Sequence, residues 1–338
     1  MSELKRIIVV GASAGGFKAV SELLSVTPAN LNTAILVVVH LAQTSQAYII
    51  QQYFEKNTSY KCLIPANNET IKAGNMYFAP PDRHMLVKDG KIKLINGPHE
   101  NRWRPSVDVL FRSAAAEYNS RAIGIVLSGM LDDGTSGMWA IKRCGGVCIV
   151  QEPADAEYPD MPTSVINNME VDYRVPVKEM GYILDDVFSK PEPDSVDVPE
   201  EIKLETEITE RIVSDIDELT KLGTHSNYTC PDCGGGLFQI KNEPGLRYRC
   251  HTGHVYTAEI LLNKQNEQLE ESVWISIRML EERRNLLLQM AAKTPPDKAN
   301  AYQQGQINRA NELNMHIERM KALLMSLDKN LETDEGYL

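Results

Sequence analysis

Ile7-Ile8-Val9-Val10-Gly11-Ala12-Ser13-Ala14-Gly15-Gly16 is the stretch on which the fold turns. Its four branched apolar residues read as a strand buried on both faces of a parallel sheet. The small residues that follow permit a tight strand-to-helix turn, with a glycine pair opening the helix. A serine at such a turn is pushed clear of the backbone and meets helix amides. Ser13 is therefore the candidate nucleophile, and the N–H of Ala14 a donor for an acyl-transfer oxyanion. A dinucleotide loop of the G-x-G-x-x-G kind competes, since a glycine pair at a helix start suits phosphate equally. Against it, Ser13 replaces the central glycine, and no acidic ribose partner follows a second strand at the expected place.

Working outward, Ala34-Ile35-Leu36-Val37-Val38-Val39 is a second unbroken apolar run and ends in His40. A third, Ala122-Ile123-Gly124-Ile125-Val126-Leu127-Ser128, leads into Gly129-Met130-Leu131-Asp132-Asp133-Gly134. A serine, a histidine and an aspartate thus each follow the carboxyl end of a parallel-type strand, the edge where open α/β sheets build their sites. The pattern predicts a doubly wound, mainly parallel α/β domain. In it His40 takes the Ser13 proton while Asp133 fixes the imidazole tautomer. The order Ser-His-Asp differs from that of the α/β-hydrolases, but role and geometry define a triad. Asp133 is preferred over Asp132 because it directly precedes Gly134 and a helix expected near Ser136, leaving Asp132 the more solvated. The plain alternative makes both aspartates turn residues and His40 a strand cap. His84 and His99 are rival bases, and the Pro-rich run Ala79-Pro80-Pro81-Asp82-Arg83-His84 predicts a surface loop for the first.

With these motifs in hand, the chain from about Arg6 to about Leu184 resembles the catalytic domain of the chemotaxis protein-glutamate methylesterases (CheB-type). The resemblance rests on Gly-Ala-Ser-Ala-Gly-Gly at Ser13, Val-Val-His-Leu at His40 and Ala-Pro-Pro-Asp-Arg-His-Met ending at Met85. It rests further on Arg104-Pro105-Ser106-Val107-Asp108-Val109-Leu110-Phe111 and on Ser128-Gly129-Met130 leading to Asp133-Gly134. It implies a Ser13, His40 and Asp133 triad, with main chain near Met130 helping to hold the oxyanion. It implies hydrolysis of glutamate methyl esters on chemoreceptors, deamidation of receptor glutamines in some members, and no cofactor for catalysis. Two positions depart from the family: Ala14 stands where threonine is frequent, and Leu131 where the loop often reads Gly-Met-Gly. Members usually carry an N-terminal receiver domain, and the catalytic strand beginning at Arg6 leaves no room for one in this sequence.

Net charge −11 over 338 residues argues against a nucleic-acid partner. No signal-peptide pattern or apolar run of bilayer length occurs, so a cytoplasmic protein without membrane insertion is expected. Cys62, Cys144 and Cys148 lie in apolar stretches and read as buried reduced thiols. Cys230-Pro231-Asp232-Cys233, with Cys250 and His254 beyond a glycine-rich turn, has the spacing of a closed structural zinc site. His254 is preferred to His251, which is adjacent to Cys250 and poorly placed to share its ion. A redox C-x-x-C would require a thioredoxin-like context that is not found here.

The expected organisation is a catalytic domain over 1–190, an acidic linker over 191–226, a zinc-binding module over 227–258 and a helical hairpin over 259–333. The linker reads as an extended tether leading into a short amphipathic segment that could lie across the catalytic cleft, with a solvated spacer the plainer reading. In the hairpin, Leu262, Leu269, Val273, Ile277, Leu280 and Leu287 form one apolar stripe. Ile307, Ala310, Leu313, Ile317, Met320, Leu324, Leu327 and Leu331 form the other, with Lys293-Thr294-Pro295-Pro296-Asp297 breaking the pattern between them. Two helices alone bury little, so a homo-oligomer through this part, or docking on a partner such as a receptor methyltransferase, is expected. Two function classes follow: a serine hydrolase acting on a methylated chemoreceptor-like protein, and a catalytically weak signalling scaffold working through the zinc module and hairpin.

Overall fold

The computed structural model describes residues 4–29, 31–41, 47–56, 58–293 and 299–334. In chain order the first elements are β1 (Arg6–Ala12), α1 (Gly16–Val26), β2 (Thr33–Val39), α2 (Ala47–Glu55), β3 (Lys61–Leu63), β4 (Glu69–Thr70), β5 (Asn75–Phe78), β6 (His84–Lys88) and β7 (Lys91–Ile95). Next come α3 (Val107–Tyr118), β8 (Ala122–Val126), α4 (Thr135–Arg143), β9 (Val147–Gln151), α5 (Asp160–Asn168), β10 (Tyr173–Val175) and α6 (Met180–Ser189). The chain continues with α7 (Glu200–Arg211), α8 (Ile216–Leu222), β11 (Gly223–Thr229), β12 (Gly236–Ile240), β13 (Arg247–Cys250) and β14 (Val255–Thr257). The long helices α9 (Ala258–Ala292) and α10 (Ala299–Asp334) complete it.

A seven-stranded sheet in the order β10-β9-β8-β1-β2-β5-β3 organises the first part, and its pairings are parallel. Every residue of β1 and β2 is buried, which explains apolar runs without alternation. Ile7, Val9, Leu36 and Val126 face one core with Leu110, Phe111 and Met138, whereas Ile8, Val10, Ile35 and Ile125 face the other with Val20, Leu23 and Leu184. The chain leaves β1 for β2 on one side and reaches β8 on the other. That reversal makes the carboxyl ends of these three strands the place where open α/β sheets build their sites, and Ser13, His40 and the 127–133 loop follow there.

The chain folds as two compact units, Met1–Ile260 and Leu261–Leu338. The acidic segment after the sheet is no solvated spacer. It forms α7 and α8, and Ile208, Leu219 and Leu222 pack under Phe238 and Ile240 of the antiparallel β11–β14 sheet. Its Glu205 is buried and accepts from Arg247 Nη1 and Nη2 at 2.7 and 2.6 Å. Burial raises the Glu205 pKa, yet Arg112 and Arg247 hold it well below the usual carboxylate range. Alternating acidic and apolar residues here thus mark a helix that neutralises buried arginines.

In the second unit, Val273 and Ile277 of α9 pack with Ile317 and Leu324 of α10, flanked by Leu280 and Met320. Lys321 Nζ lies 3.4 Å from Glu281 Oε1 and Arg284 Nη1 donates to Asn314 Oδ1 at 3.0 Å, an antiparallel register. The stripe expected on α9 is only partly inward: Leu262 and Leu269 are 57% and 46% exposed. The Thr294–Asp297 break lies outside the described residues.

Candidate functional site

Parallel register makes Ser13 and His40 neighbours. Ala12 pairs with Val39, and His40 N donates to Ala12 O at 3.1 Å, so the next residue of each chain stands at the same rim of adjacent strands. From the other side, Leu127 N bonds Gly11 O and Ser13 N bonds Ser128 O, both at 2.9 Å. Ser128 Oγ donates to Ala14 O at 2.8 Å and accepts from Tyr158 N at 3.0 Å, tying the serine turn to the opposite loop. Gly129 fits only as glycine: an added Cβ would lie 2.1 Å from Met161 Sδ and 2.8 Å from Ser13 Cβ. Ser13 N is thereby consumed, whereas Ala14 N has no partner among the described residues.

His40 is held tightly. Its Nε2 lies 2.8 Å from Asp133 Oδ2, with both side chains buried. Its ring stacks on Trp103, centroids 4.2 Å apart and planes 11° from parallel. Its Nδ1 is buried and has no hydrogen-bond partner among the described residues. An imidazole that donates from Nε2 to a carboxylate keeps Nδ1 as a free base, so Nδ1 is the atom able to accept a proton.

Asp133 sits at the amino end of α3, where unsatisfied helix amides favour an anion. Its Oδ2 accepts from Val107 N at 2.7 Å, and its Oδ1 from Ser106 Oγ at 2.9, Asn101 Nδ2 at 3.0 and Asp108 N at 3.2 Å. Burial pushes this carboxyl up, but the bonds from His40, Val107 and Asn101 outweigh it and hold the group below its ordinary pKa. Asp108, which accepts from Asn101 Nδ2 at 2.7 Å and from Gly134 N and Gly137 N at 2.9 and 2.7 Å, goes the other way. Burial and the charge of Asp133 push it well above the carboxylate range.

His84 is not in a surface loop. It opens β6, is 1% exposed, and is fixed with Nε2 2.8 Å from Pro98 O and Nδ1 accepting from Ser106 N at 3.2 Å. Both nitrogens are occupied, burial lowers its pKa, and it offers no base. The Pro-Pro turn misled because it closes just before the chain re-enters the core. Asp132 is half-buried and pushed up to about 6 by burial. Met130 is exposed at the rim, and Leu131 adopts φ +65°, the left-handed conformation for which glycine is suited. Asn101, Trp103, Ser106 and Asp108 went unassigned in the sequence. Ser106 and Asp108 carry a helix-start signature, but nothing local marks Asn101 or Trp103 as touching the site.

The second cluster is the Cys/His set. One ligand atom from each of Cys230, Cys233, Cys250 and His254 lies within 4.8 Å of the others, with no His251 atom among them. Cys233 Sγ and Cys250 Sγ are 3.7 Å apart, and His254 Nδ1 is 3.6 Å from Cys250 Sγ and 3.7 Å from Cys230 Sγ. Tetrahedral thiolates around zinc at Zn–S about 2.3 Å stand about 3.8 Å apart, so this donor set fits zinc. Cys230 O accepts from Gly234 N at 2.8 Å and Cys250 O from Gly253 N at 3.0 Å, two tight turns that aim the ligands. None of the described helices is long and apolar enough to cross a membrane.

A family model described as CheB methylesterase matches residues 8–184. The chain is 36% identical over 175 residues to a protein of Leptospira interrogans, covering 52% of this chain and 90% of that relative. It is 35% identical over 183 residues to the protein-glutamate methylesterase/protein-glutamine glutaminase of Trichodesmium erythraeum, and there it spans about half the relative's length, 51%. Among solved structures it resembles the Thermotoga maritima CheB methylesterase catalytic domain, with a TM-score of 0.51 and 28% identity over 54% of this chain and 98% of that one.

Proposed function

Because this chain belongs to the CheB methylesterase family, we propose that it removes methyl esters from glutamate side chains of a chemoreceptor-like protein, with Ser13 as nucleophile. In this reading Ser13 Oγ attacks the ester carbonyl as its proton passes to His40 Nδ1, and Asp133 stabilises the imidazolium through Nε2. Ala14 N–H and main chain near Met130 stabilise the tetrahedral oxyanion. Collapse breaks the bond to the methoxy oxygen, which leaves as methanol with the His40 proton. Water then attacks the acyl-serine, gives its proton to His40 and releases glutamate, with the proton returned to Ser13. Glutamine deamidation would follow the same course with ammonia leaving.

The observation that carries this reading is the His40 ring. It is clamped through Nε2 by an ionised buried carboxylate, while Nδ1 has no partner among the described residues, and the His40 backbone pairs with the residue before Ser13. The test is methanol release from a methylated receptor together with fluorophosphonate labelling, for wild type and Ser13→Ala. Wild type should release methanol and carry the label on the Ser13 peptide, and the variant should do neither. Equal inactivity of both proteins would refute the hydrolase.

The reading also includes a structural zinc ion on Cys230, Cys233, Cys250 and His254, a cytoplasmic location, and recruitment or self-association through α9 and α10, beside a receptor methyltransferase in one arrangement. Exposed Leu262, Trp274, Met279 and Leu286 favour a partner-binding role for that unit. The same residues support the second reading, a scaffold with little turnover.

A further inference from the structure

The loop between β7 and α3 reaches the Asp133 and His40 side chains and also pairs with the strand that follows His254. Asn101, wholly buried, joins the two carboxylates Asp133 and Asp108 through its Nδ2, and Trp103 covers the His40 ring. Asn101 holds φ +52°, in the left-handed region that Asn adopts more readily than other side chains. The loop is braced by β14. Asn101 N donates to Val255 O at 2.9 Å, Val255 N donates to His99 O at 3.3 Å, and Glu100 pairs with Val255 as an isolated bridge. The Glu100 carboxylate, also buried, accepts from Arg249 Nη1 at 3.0 Å and Arg112 Nη2 at 2.8 Å.

Val255 directly follows His254, and Arg249 directly precedes Cys250. Both supports are therefore one residue from a member of the Cys/His cluster. β14 is three residues long and lies at the edge of its sheet. So short a strand has little hold of its own, and in modules of this size ligand closure on a metal is coupled to folding.

We propose that metal occupancy of the Cys230, Cys233, Cys250 and His254 cluster fixes the 99–103 loop, making Asn101 and Trp103 positioning residues for Asp133 and His40. Ester hydrolysis then depends on a metal that takes no part in the chemistry. This rests on the hydrolase reading above, and its test separates the two.

The full chain is compared zinc-loaded, after chelation, and after zinc is restored. The readouts are metal content, kcat and KM on a glutamate methyl ester peptide, and amide exchange over residues 99–106. Chelation should lower kcat about tenfold or more, the equivalent of losing one hydrogen bond to a charged carboxylate, with KM little changed. It should also expose the Asn101 amide to exchange, and zinc should reverse both effects. Asn101→Ala, fully zinc-loaded, should reproduce the kcat loss and shift the acidic limb of the kcat/KM pH profile, which a purely structural defect would not do. Folded metal-free protein with unchanged kcat and unchanged exchange overturns the proposal, as does a chain that takes up no zinc. Metal-dependent protection at Asn101 in a protein without esterase activity would refute the hydrolase and leave the coupling standing.

Discussion

Replacing Asp133 by Asn removes one charge and turns one acceptor into a donor at a carboxylate whose two oxygens are both met by donors. If nitrogen takes the Oδ2 position it opposes Val107 N, which stood 2.7 Å from the oxygen and cannot retreat because it begins α3. His40 Nε2, 2.8 Å away, could then bond only as an acceptor. Its proton would move to Nδ1, and the free base proposed to accept the Ser13 proton would be lost. If nitrogen takes the Oδ1 position, it opposes Asn101 Nδ2 and Asp108 N instead. His40 keeps its tautomer there but gains only a neutral partner for the imidazolium. Either way kcat should fall about 10³- to 10⁴-fold, or about 4–5.5 kcal/mol at about 1.36 kcal/mol per decade. Stability should fall by about 1–3 kcal/mol for an orphaned buried donor. The assay is ester hydrolysis at neutral pH, with ¹⁵N NMR of the His40 ring to identify the protonated nitrogen. An Asp133→Asn variant within tenfold of wild type would refute the assigned role of this carboxylate.

Three further outcomes are expected. Gly129→Ala should lower stability by about 1–3 kcal/mol through overpacking and depress ester hydrolysis, since the new methyl meets Met161 and Ser13; unchanged thermal melting would show that the loop has room. Glu205→Gln should cost about 3–5 kcal/mol at neutral pH by stranding Arg247. Because the Glu205 pKa is depressed in the fold, its contribution is complete above the unfolded value of about 4.3 and is lost as pH falls through the folded value. The difference from wild type in denaturant titrations should therefore shrink in acid, and a gap that widens there would contradict the pairing. His84 is held neutral by burial, so the unfolded chain binds its proton first, and stability should decline as pH falls below about 6.5, by at most about 1.4 kcal/mol per pH unit. His84→Gln should flatten that slope between pH 7 and 5, and an equal slope in the variant would show that His84 does not set it.

Much of the site was legible because its parts follow strands whose apolar runs are unmistakable. Ser13 and His40 could be placed at one rim, since parallel strands buried on both faces leave functional residues to their carboxyl ends. Asp133 could be chosen over Asp132 from its place before a helix start. The Cys/His spacing likewise carries its own geometry, because ligands on two tight turns must converge. His84 was misplaced because turn residues report local backbone and say nothing of what the chain enters next. The packing of the acidic segment is not legible locally because its buried glutamate is compatible with the core only beside arginines far away in the chain on either side, Arg112 and Arg247.

The sequence by itself thus determined the strands and the turns that carry the candidate site residues, because these follow from local periodicity and backbone preference. Only the tertiary structure decided which histidine nitrogen is free, which donors hold Asp133 ionised, and that β14 props the loop beneath both. Those outcomes depend on desolvation and on bonds between residues far apart in the chain, and an isolated segment has no means of encoding either.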